Sequence, residues 1–219
     1  MKKILLIIVA TLWMIPSYAQ LITNRTSDKL SVTVDLYTDI PTSSPDGIKF
    51  RTINQGISTS LNYNFPLGAS KHQFALGAGI RVHNFYSNNR IADIHADTLQ
   101  FVKIETNYKR SKINLVYLDF PAEFKFRFEN KMKLGIGFKL GVYLNSKEKF
   151  VGQEIDRGPT VYVKSRKINS IEKYSYGPTL RLGWNWISAY VFYQPSATFE
   201  RDLGPEICPI TVGITLSPF

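Results

Sequence analysis

Residues 116–144 read VYLDFPAEFKFRFENKMKLGIGFKLGVYL and contain two runs in which apolar residues alternate with polar or small ones. The polar segment 129–131 (ENK) separates the two runs. Because successive side chains of a strand point to opposite faces, this period of two predicts two β-strands joined by a tight turn. The stretch therefore predicts an antiparallel hairpin with one apolar face and one polar or small face.

The same alternation recurs along the rest of the chain. It is found at 30–37, 57–65, 74–83 and 179–186, and more weakly at 187–199 and 207–219. With the two runs of the hairpin, these segments predict eight strands, and no segment has the spacing of a convincing helix.

The connections between the predicted strands are of two kinds. Short ones lie at 66–70, 129–131 and 185–187, and longer ones at 39–55, 87–112, 146–173 and 200–206. Because short and long connections alternate, all short turns lie at one end of an antiparallel meander. The prediction is an all-β fold: an eight-stranded antiparallel up-and-down transmembrane β-barrel with short periplasmic turns and longer extracellular loops.

Composition excludes several other classes of protein. The 219 residues are 44% hydrophobic, 13% aromatic and 20% charged, which is too apolar for a disordered chain. A single cysteine excludes a disulfide framework and a cysteine-ligated zinc module. The mean hydropathy of −0.12 argues against a bundle of membrane helices but not against a barrel, in which polar residues alternate with lipid-facing ones.

The first residues have the pattern of a secretory signal peptide. Lys2 and Lys3 precede the apolar run 4–15, and Ser17-Tyr18-Ala19 supplies small residues at the cleavage positions. We therefore predict a signal peptide at 1–19 and a barrel domain at 20–219. Without the two lysines the formal charge falls from +10 to +8.

Alternation alone leaves open which face points outward, since a soluble lipocalin-like barrel has its apolar face inside around a ligand. The polar face here is rich in Gly, Ser and Asn, unlike a water-facing surface. Aromatic residues also gather at the short-turn ends of the apolar face, as in a membrane girdle. They are Phe65, Phe74, Phe126, Phe128, Trp184 and Trp186. A second girdle is predicted at Tyr86, Tyr174, Tyr176 and Phe199.

The predicted register places long side chains of the polar face opposite glycines. Closing the turn at 129–131 puts Arg127 opposite Lys133, Lys125 opposite Gly135, Glu123 opposite Gly137 and Asp119 opposite Gly141; closing 185–187 puts Gly183 opposite Tyr190 and Arg181 opposite Phe192. Eight strands leave an interior that such side chains can fill. The predicted lumen charge network is Arg81, Asp119, Glu123, Lys125, Arg127, Lys139 and Arg181, with Asp35 and Glu200 as further acids. A plug of ion pairs is favoured over a path for ions or protons.

No catalytic, metal or cofactor site is predicted. The histidines His72, His83 and His95 are scattered over a rim, a strand and a long loop, and no spacing marks a triad. We therefore expect no enzyme, although some small barrels are lipid-modifying enzymes. Nucleic acid is an improbable partner for an exported barrel, whereas the basic segment 146–173 suits the anionic groups of lipopolysaccharide.

One segment carries a family resemblance. Tyr117-Leu118-Asp119-Phe120-Pro121, followed by Lys125, resembles a strand motif of the PorT-like outer-membrane β-barrel family of Bacteroidetes. The resemblance implies an eight-stranded outer-membrane barrel, and PorT itself is tied to a protein-secretion system. Expected partners are outer-membrane lipids, the barrel-assembly machinery through the aromatic terminus Phe219, and envelope or secretion proteins. The terminal apolar row 210–216 is out of phase with Phe219, which weakens that signal.

Two classes of function thus remain open. One is a structural or interaction barrel of the cell envelope, and the other is a secreted soluble barrel that binds a small apolar ligand.

Overall fold

The structure, a computed structural model, describes residues 29–42, 47–153 and 158–217. The predicted signal peptide at 1–19 and the terminal residue Phe219 lie outside these ranges and stay predictions. The strands are β1 (Leu30–Pro41), β2 (Gln55–Pro66), β3 (Gln73–Tyr86), β4 (Asn89–Ile91), β5 (Phe101–Lys103), β6 (Tyr108–Arg127), β7 (Met132–Gln153), β8 (Thr160–Arg166), β9 (Tyr174–Trp184), β10 (Ile187–Tyr193) and β11 (Pro209–Leu216).

Eight of these strands close into a barrel, in the order β1-β2-β3-β6-β7-β9-β10-β11, and β11 pairs again with β1. Every pair is antiparallel, so the predicted fold class is confirmed. The other three strands belong to the long connections: β4 and β5 form a hairpin, and β8 pairs with the far end of β7. The described residues contain no helix long and apolar enough to cross a membrane.

The apolar side chains lie on the outside of the barrel. Along β9, for example, Leu180 and Leu182 are 46% and 52% exposed, whereas Thr179 on the opposite face of the same strand is buried. On β1 the interior residues are Ser31, Thr33, Tyr37 and the two aspartates Asp35 and Asp39. The alternative of a lipocalin-like barrel with an apolar interior is therefore wrong for these strands.

The tight turn at 129–131 has the predicted register. Lys125 pairs with Gly135, Glu123 with Gly137 and Asp119 with Gly141. Small residues opposite long ones are needed here because the chain backbones approach closely. A Cβ added to Gly137 would lie 2.4 Å from the carbonyl oxygen of Ala122, which is nearer than any atom of Glu123.

At the tight turn predicted at 185–187, the pairing of β9 with β10 is shifted by two positions from the prediction. Trp184 pairs with Ile187, so only Asn185 and Trp186 form the turn, and Asn185 takes a left-handed φ of 56°. Asn tolerates this conformation better than most residues, which permits the shorter turn. Arg181 consequently lies opposite Tyr190, not Phe192, and Gly183 lies opposite Ser188, not Tyr190.

A β-bulge on β7 reverses the side-chain phase of that strand. Tyr117 pairs with Tyr143 but Val116 pairs with Asn145, so Leu144 is an extra residue. Before the bulge Gly141 faces the interior; after it Ser146, Glu148 and Phe150 are buried. The stretch from Leu134 to Leu144 has the roughly 9–11 residues that a tilted strand needs to cross a membrane, and beyond it the wall continues upward with β8.

The outward face can be tested at Leu182. Replacement by Arg at this position, two residues from Trp184, should lower the free energy of unfolding by roughly 1–2 kcal/mol, because the cost of a charge on the lipid face falls from the bilayer midplane toward the interface. The measurement is denaturant unfolding of protein refolded into lipid vesicles. Ile53→Arg is the control, since Ile53 is 63% exposed in a long loop and should tolerate the same change. Equal stability of Leu182→Arg and wild type would mean that this face does not contact lipid.

Candidate functional site: the lumen and its outer end

Arg81 lies near the middle of the lumen, between the short turns and the long loops. Its Nε lies 2.9 Å from Oδ2 of Asp119, and its Nη2 donates a 2.8 Å hydrogen bond to the hydroxyl of Ser175. The guanidinium carbon lies 5.1 Å from the centre of the Tyr117 ring and 4.8 Å from that of Phe192. The cation is thus enclosed by one carboxylate and two aromatic faces, which together compensate for its removal from water.

Lys139 reaches the same carboxylate from the adjacent strand. Its Nζ lies 3.5 Å from Asp119 Oδ2 and donates a 2.7 Å hydrogen bond to the hydroxyl of Tyr190. Like Arg81, it is almost completely buried. Two cations therefore share Asp119, and aromatic rings provide the remaining compensation.

Arg181 holds the next layer toward the short turns. Its Nη2 lies 3.1 Å from Asp35 Oδ2, and its Nη1 forms an ion pair with Glu123. Thr215 donates a 2.6 Å hydrogen bond to Asp35 and accepts one of 3.0 Å from Arg181 Nε. One guanidinium thus joins three sides of the barrel, with its partners on β1, β6 and β11.

An interior His–Asp pair was not predicted. Nδ1 of His83 lies 2.6 Å from Oδ2 of Asp39, and Thr211 donates a 2.6 Å hydrogen bond to the other oxygen of that carboxylate. His83 stacks on Phe85 and is buried. The alternation predicts that Asp39 lies in a loop, but β1 continues to Pro41. The spacing of four residues between Asp35 and Asp39 indicates that both side chains point to the inner face.

Three members of the predicted network do not join it by ion pairing. Lys125 donates hydrogen bonds to neutral groups, 3.1 Å to Ser31 Oγ and 2.9 Å to Asn64 Oδ1. Arg127 lies at the short-turn mouth, and with Lys125 it lines a cavity of about 40 Å³. Glu200 is not in the lumen but in the loop after β10, where its N–H donates to the carbonyl of Ser170. The prediction that Glu200 is an acid of the lumen is wrong because the strand ends before it, at Tyr193.

An apolar core fills the end of the barrel under the long loops. Its buried members are Phe85, Ile91, Ile94, Leu99, Ile113, Leu115, Tyr117, Ile168, Ile171, Phe199 and Ile207. Phe199 was predicted for the outer aromatic girdle, but it is 3% exposed and belongs to this core. The loops are also joined to one another. The N–H of Leu99 donates 2.7 Å to Leu203 and that of Asn169 donates 2.8 Å to Ile94.

The six aromatic residues predicted for the short-turn girdle lie together on the outer face at that end. Rings of Phe65 and Phe74 are 6.3 Å apart, and Phe126 packs against His72 at 5.4 Å. Phe128, Trp184 and Trp186 are each about half exposed or more, and Trp184 Nε1 donates to the carbonyl of Asn130. Side chains with an apolar body and a polar edge suit the boundary of a membrane.

Glu148 is a buried carboxylate in the wall above the bulge. Its Oε1 accepts a 2.9 Å hydrogen bond from the N–H of Ile91, which fixes the β4–β5 hairpin to the barrel. Burial raises the pKa of Glu148 above its ordinary value, although this hydrogen bond and the charge of Arg90 oppose the shift. The outer loops are therefore tied to the barrel through a group whose charge is disfavoured.

Among the described residues, side chains of three kinds occupy the lumen. Hydroxyl and amide groups such as Thr33, Ser60 and Asn62 hydrogen-bond to one another near the short turns, ion pairs fill the middle, and the apolar core fills the outer end. Within the described part of the chain, no group of three or more His, Cys, Asp or Glu residues is arranged to hold a metal ion. Within the described ranges, this arrangement can hold the wall rigid, and it leaves a cavity of about 40 Å³ at the short-turn mouth.

A comparison with models of protein families agrees with this architecture. A family model described as outer membrane protein beta-barrel domain matches residues 19–203. The solved outer membrane protein Ail of Yersinia pestis is 15% identical, with a TM-score of 0.36, and the match covers 85% of this chain and 98% of that one. No curated protein matches the chain.

Removal of the Arg181 guanidinium should destabilise the barrel more than removal of the whole cluster. Arg181→Met leaves Asp35 and Glu123 buried without their cation, which costs about 3–5 kcal/mol of unfolding free energy. Adding Asp35→Asn and Glu123→Gln to the same protein should restore most of the loss. Denaturant unfolding in lipid vesicles measures both. If Arg181→Met were as stable as wild type, the cluster would not hold the wall.

Glu148 gives a pH dependence to the outer loops. Because its folded pKa is raised, the free energy of unfolding should fall as pH rises from the ordinary value of 4.5 through the raised value. Glu148→Gln should remove that fall. Limited proteolysis of the loops between about pH 4 and about pH 8 measures it. Glu105→Gln, at an exposed loop carboxylate, is the control and should keep the wild-type profile.

Proposed function

Since the chain belongs to the outer membrane protein β-barrel domain family, we propose that it is a closed, non-conducting barrel that acts as a structural and interaction protein of the cell envelope. The single observation that carries this proposal is the lumen, in which ion-paired side chains occupy the middle and the apolar core occupies the outer end. Arg81 and Lys139 share the carboxylate of Asp119, and Arg181 pairs with other carboxylates, among them that of Asp35. Because side chains of the described residues occupy the lumen, we propose that other molecules contact the outer surface and the loops.

The outer membrane is the location that the family supports. In barrels of this kind short turns face the periplasm and longer loops face outward. We therefore place the turns near Phe128 and Trp186 in the periplasm and the interlocked loops around Leu99 and Leu203 outside. Export by the predicted signal peptide at 1–19 belongs to the same proposal.

Membership of the PorT-like group, and with it a link to protein secretion, is the finer part of the proposal. It is supported by the motif that begins at Tyr117, because two of its residues have a structural task. Tyr117 covers Arg81, and Asp119 binds both Arg81 and Lys139. Envelope or secretion proteins and the barrel-assembly machinery are the protein partners we propose, and outer-membrane lipids, including lipopolysaccharide, are the other partners.

We also propose that the protein is not an enzyme and takes no cofactor. His83 has a carboxylate partner in Asp39, as a catalytic base would, but both side chains are buried, and aromatic rings surround His83. His72 and His95 lie at opposite ends of the barrel, beside a short turn and in a long loop. The surroundings of His83 thus favour a structural role over acid–base chemistry.

The proposal predicts that purified protein in a planar bilayer carries no stable open-channel current. An eight-stranded barrel has an interior of side-chain dimensions, and here charged side chains occupy it. Truncation of Lys125, Lys139 and Arg181 together to Ala should produce leak currents or lower the stability of the barrel.

The control for this triple variant is Lys49→Ala, Lys103→Ala and Arg201→Ala, which removes three exposed cations of the loops and should leave the membrane sealed. A steady, ion-selective conductance from the wild-type protein would overturn the proposal.

A further inference from the structure

Five basic residues lie together on the outside of the barrel wall above the β-bulge. They are Lys112 on β6, Lys147 and Lys149 on β7, and Lys164 and Arg166 on β8. We call them the basic face. All five are exposed or half-exposed, and on β7 they alternate with the buried residues Ser146, Glu148 and Phe150.

Strand pairing arranges the basic face in two rows. Lys149 lies directly between Lys112 and Lys164, and Lys147 lies opposite Arg166. Neighbouring strands are about 4.8 Å apart and alternate residues on one face about 7 Å apart. Ammonium and guanidinium groups from adjacent strands can therefore contact the same phosphate group.

The β-bulge at Leu144 is what turns these side chains outward. Below it, Leu140 and Val142 lie on the outer face, and an uninterrupted alternation would direct Lys147 and Lys149 into the lumen. Since the membrane-crossing part of β7 ends at Leu144, the row formed by Lys147 and Arg166 lies only about 10 Å along the strand above the apolar band. That height is where the headgroups of the outer leaflet begin.

The basic face has no carboxylate to balance it among the described residues. None of the five side chains takes part in an ion pair there; Lys112 instead donates a 2.7 Å hydrogen bond to Asn84. The charge of Arg166 lowers the pKa of Lys164, and Lys149 and Lys147 lower it further. Like charges placed directly opposite each other destabilise a sheet unless an anion binds between them.

We propose that the basic face binds the phosphate groups of an anionic lipid of the outer leaflet. The inference rests on the proposed outer-membrane location and adds to it the site and the chemistry of the lipid partner. Two rows of cations across three strands suit a headgroup that carries more than one phosphate. The acyl chains of the same lipid would pack below, on Leu118, Leu140 and Val142 of the same wall.

A lipid explains the position of the basic face better than an acidic peptide does. The cations continue directly from the lipid-facing surface, with Leu144, 52% exposed, between the two. A peptide that added to the free edge of β8 would pair with backbone groups and would need no cations on Lys112 or Lys147, which lie on strands away from that edge.

The test measures lipid binding by the folded full-length protein in zwitterionic detergent, by native mass spectrometry. The probes are diphosphoryl lipid A and the same lipid without phosphates, with inorganic phosphate as a soluble competitor. Wild type should prefer the phosphorylated lipid by about tenfold or more. Lys147→Gln, Lys149→Gln and Lys164→Gln together should remove the preference, whereas Lys49→Gln, Lys103→Gln and Arg201→Gln should retain it.

Three results would overturn the inference. Equal affinity of wild type for the two lipids would show that phosphate is not recognised. Loss of lipid binding at inorganic phosphate concentrations equal to that of the lipid would assign the site to free phosphate. Tighter binding of polyglutamate than of lipid, lost in the basic-face variant, would assign it to an acidic peptide.

Failure of the proposed function is read separately, from insertion into vesicles and the migration shift of unboiled protein in detergent gels. If wild type inserts and shifts but does not prefer the phosphorylated lipid, only the inference fails. If it does not insert, the envelope function fails first.

Discussion

Closure of the sheet is the constraint on which the rest of the structure depends. In hydrocarbon there is no water to satisfy backbone N–H and C=O groups, so the first and last strands must pair with each other, as β1 and β11 do. With eight strands the closed wall leaves a narrow interior. Every inward side chain must then find both space and a partner, which explains why long residues such as Lys125 and Glu123 lie opposite Gly135 and Gly137.

The interior charges follow from that narrowness. An isolated cation in such a space would be prohibitively costly, and here each central cation shares its surroundings with carboxylates and aromatic rings. Asp119 serves Arg81 and Lys139, while Arg181 joins Asp35 and Glu123. The pairs of Asp119 join adjacent strands, whereas those of Arg181 connect β9 with β1 and β6, which are not its neighbours in the wall. The Arg181 pairs thus brace the barrel across its lumen, and the same side chains occupy its interior.

The outside is divided by the bulge at Leu144. Below it the wall is apolar, with aromatic residues such as Trp184 at its short-turn boundary. Above it β7 pairs with β8, and the outer surface becomes basic. The apolar core beneath the loops and the Glu148 bond to Ile91 hold that upper wall in place. A rigid upper wall presents its charges in fixed rows, which is what recognition of a compact anion requires.

The sequence by itself determined the eight barrel strands, the alternation of short and long connections, the division of each strand into an apolar and a polar face, and the register of the tight turn at 129–131. These features are local: side-chain period depends on two residues, and a short turn leaves few ways to pair the strands beside it. The inward charges at Arg81, Asp119 and Arg181 were predictable for the same reason. The position of Asp39 in the sequence also predicts an inward side chain. The alternating run, however, ends four residues before Pro41, so it does not include Asp39 in the strand.

Only the tertiary structure decided the features that depend on distant parts of the chain. The bulge at Leu144 leaves no mark in the local alternation, yet it determines which way Lys147 and Lys149 point. Phe199 is apolar in either setting, and only the folding of the loops over the barrel places it in the core. The choice of carboxylate for each cation likewise depends on strands up to 146 residues apart, as between Arg181 and Asp35. Periodicity specifies a face, whereas a partner across the lumen exists only once the barrel has closed.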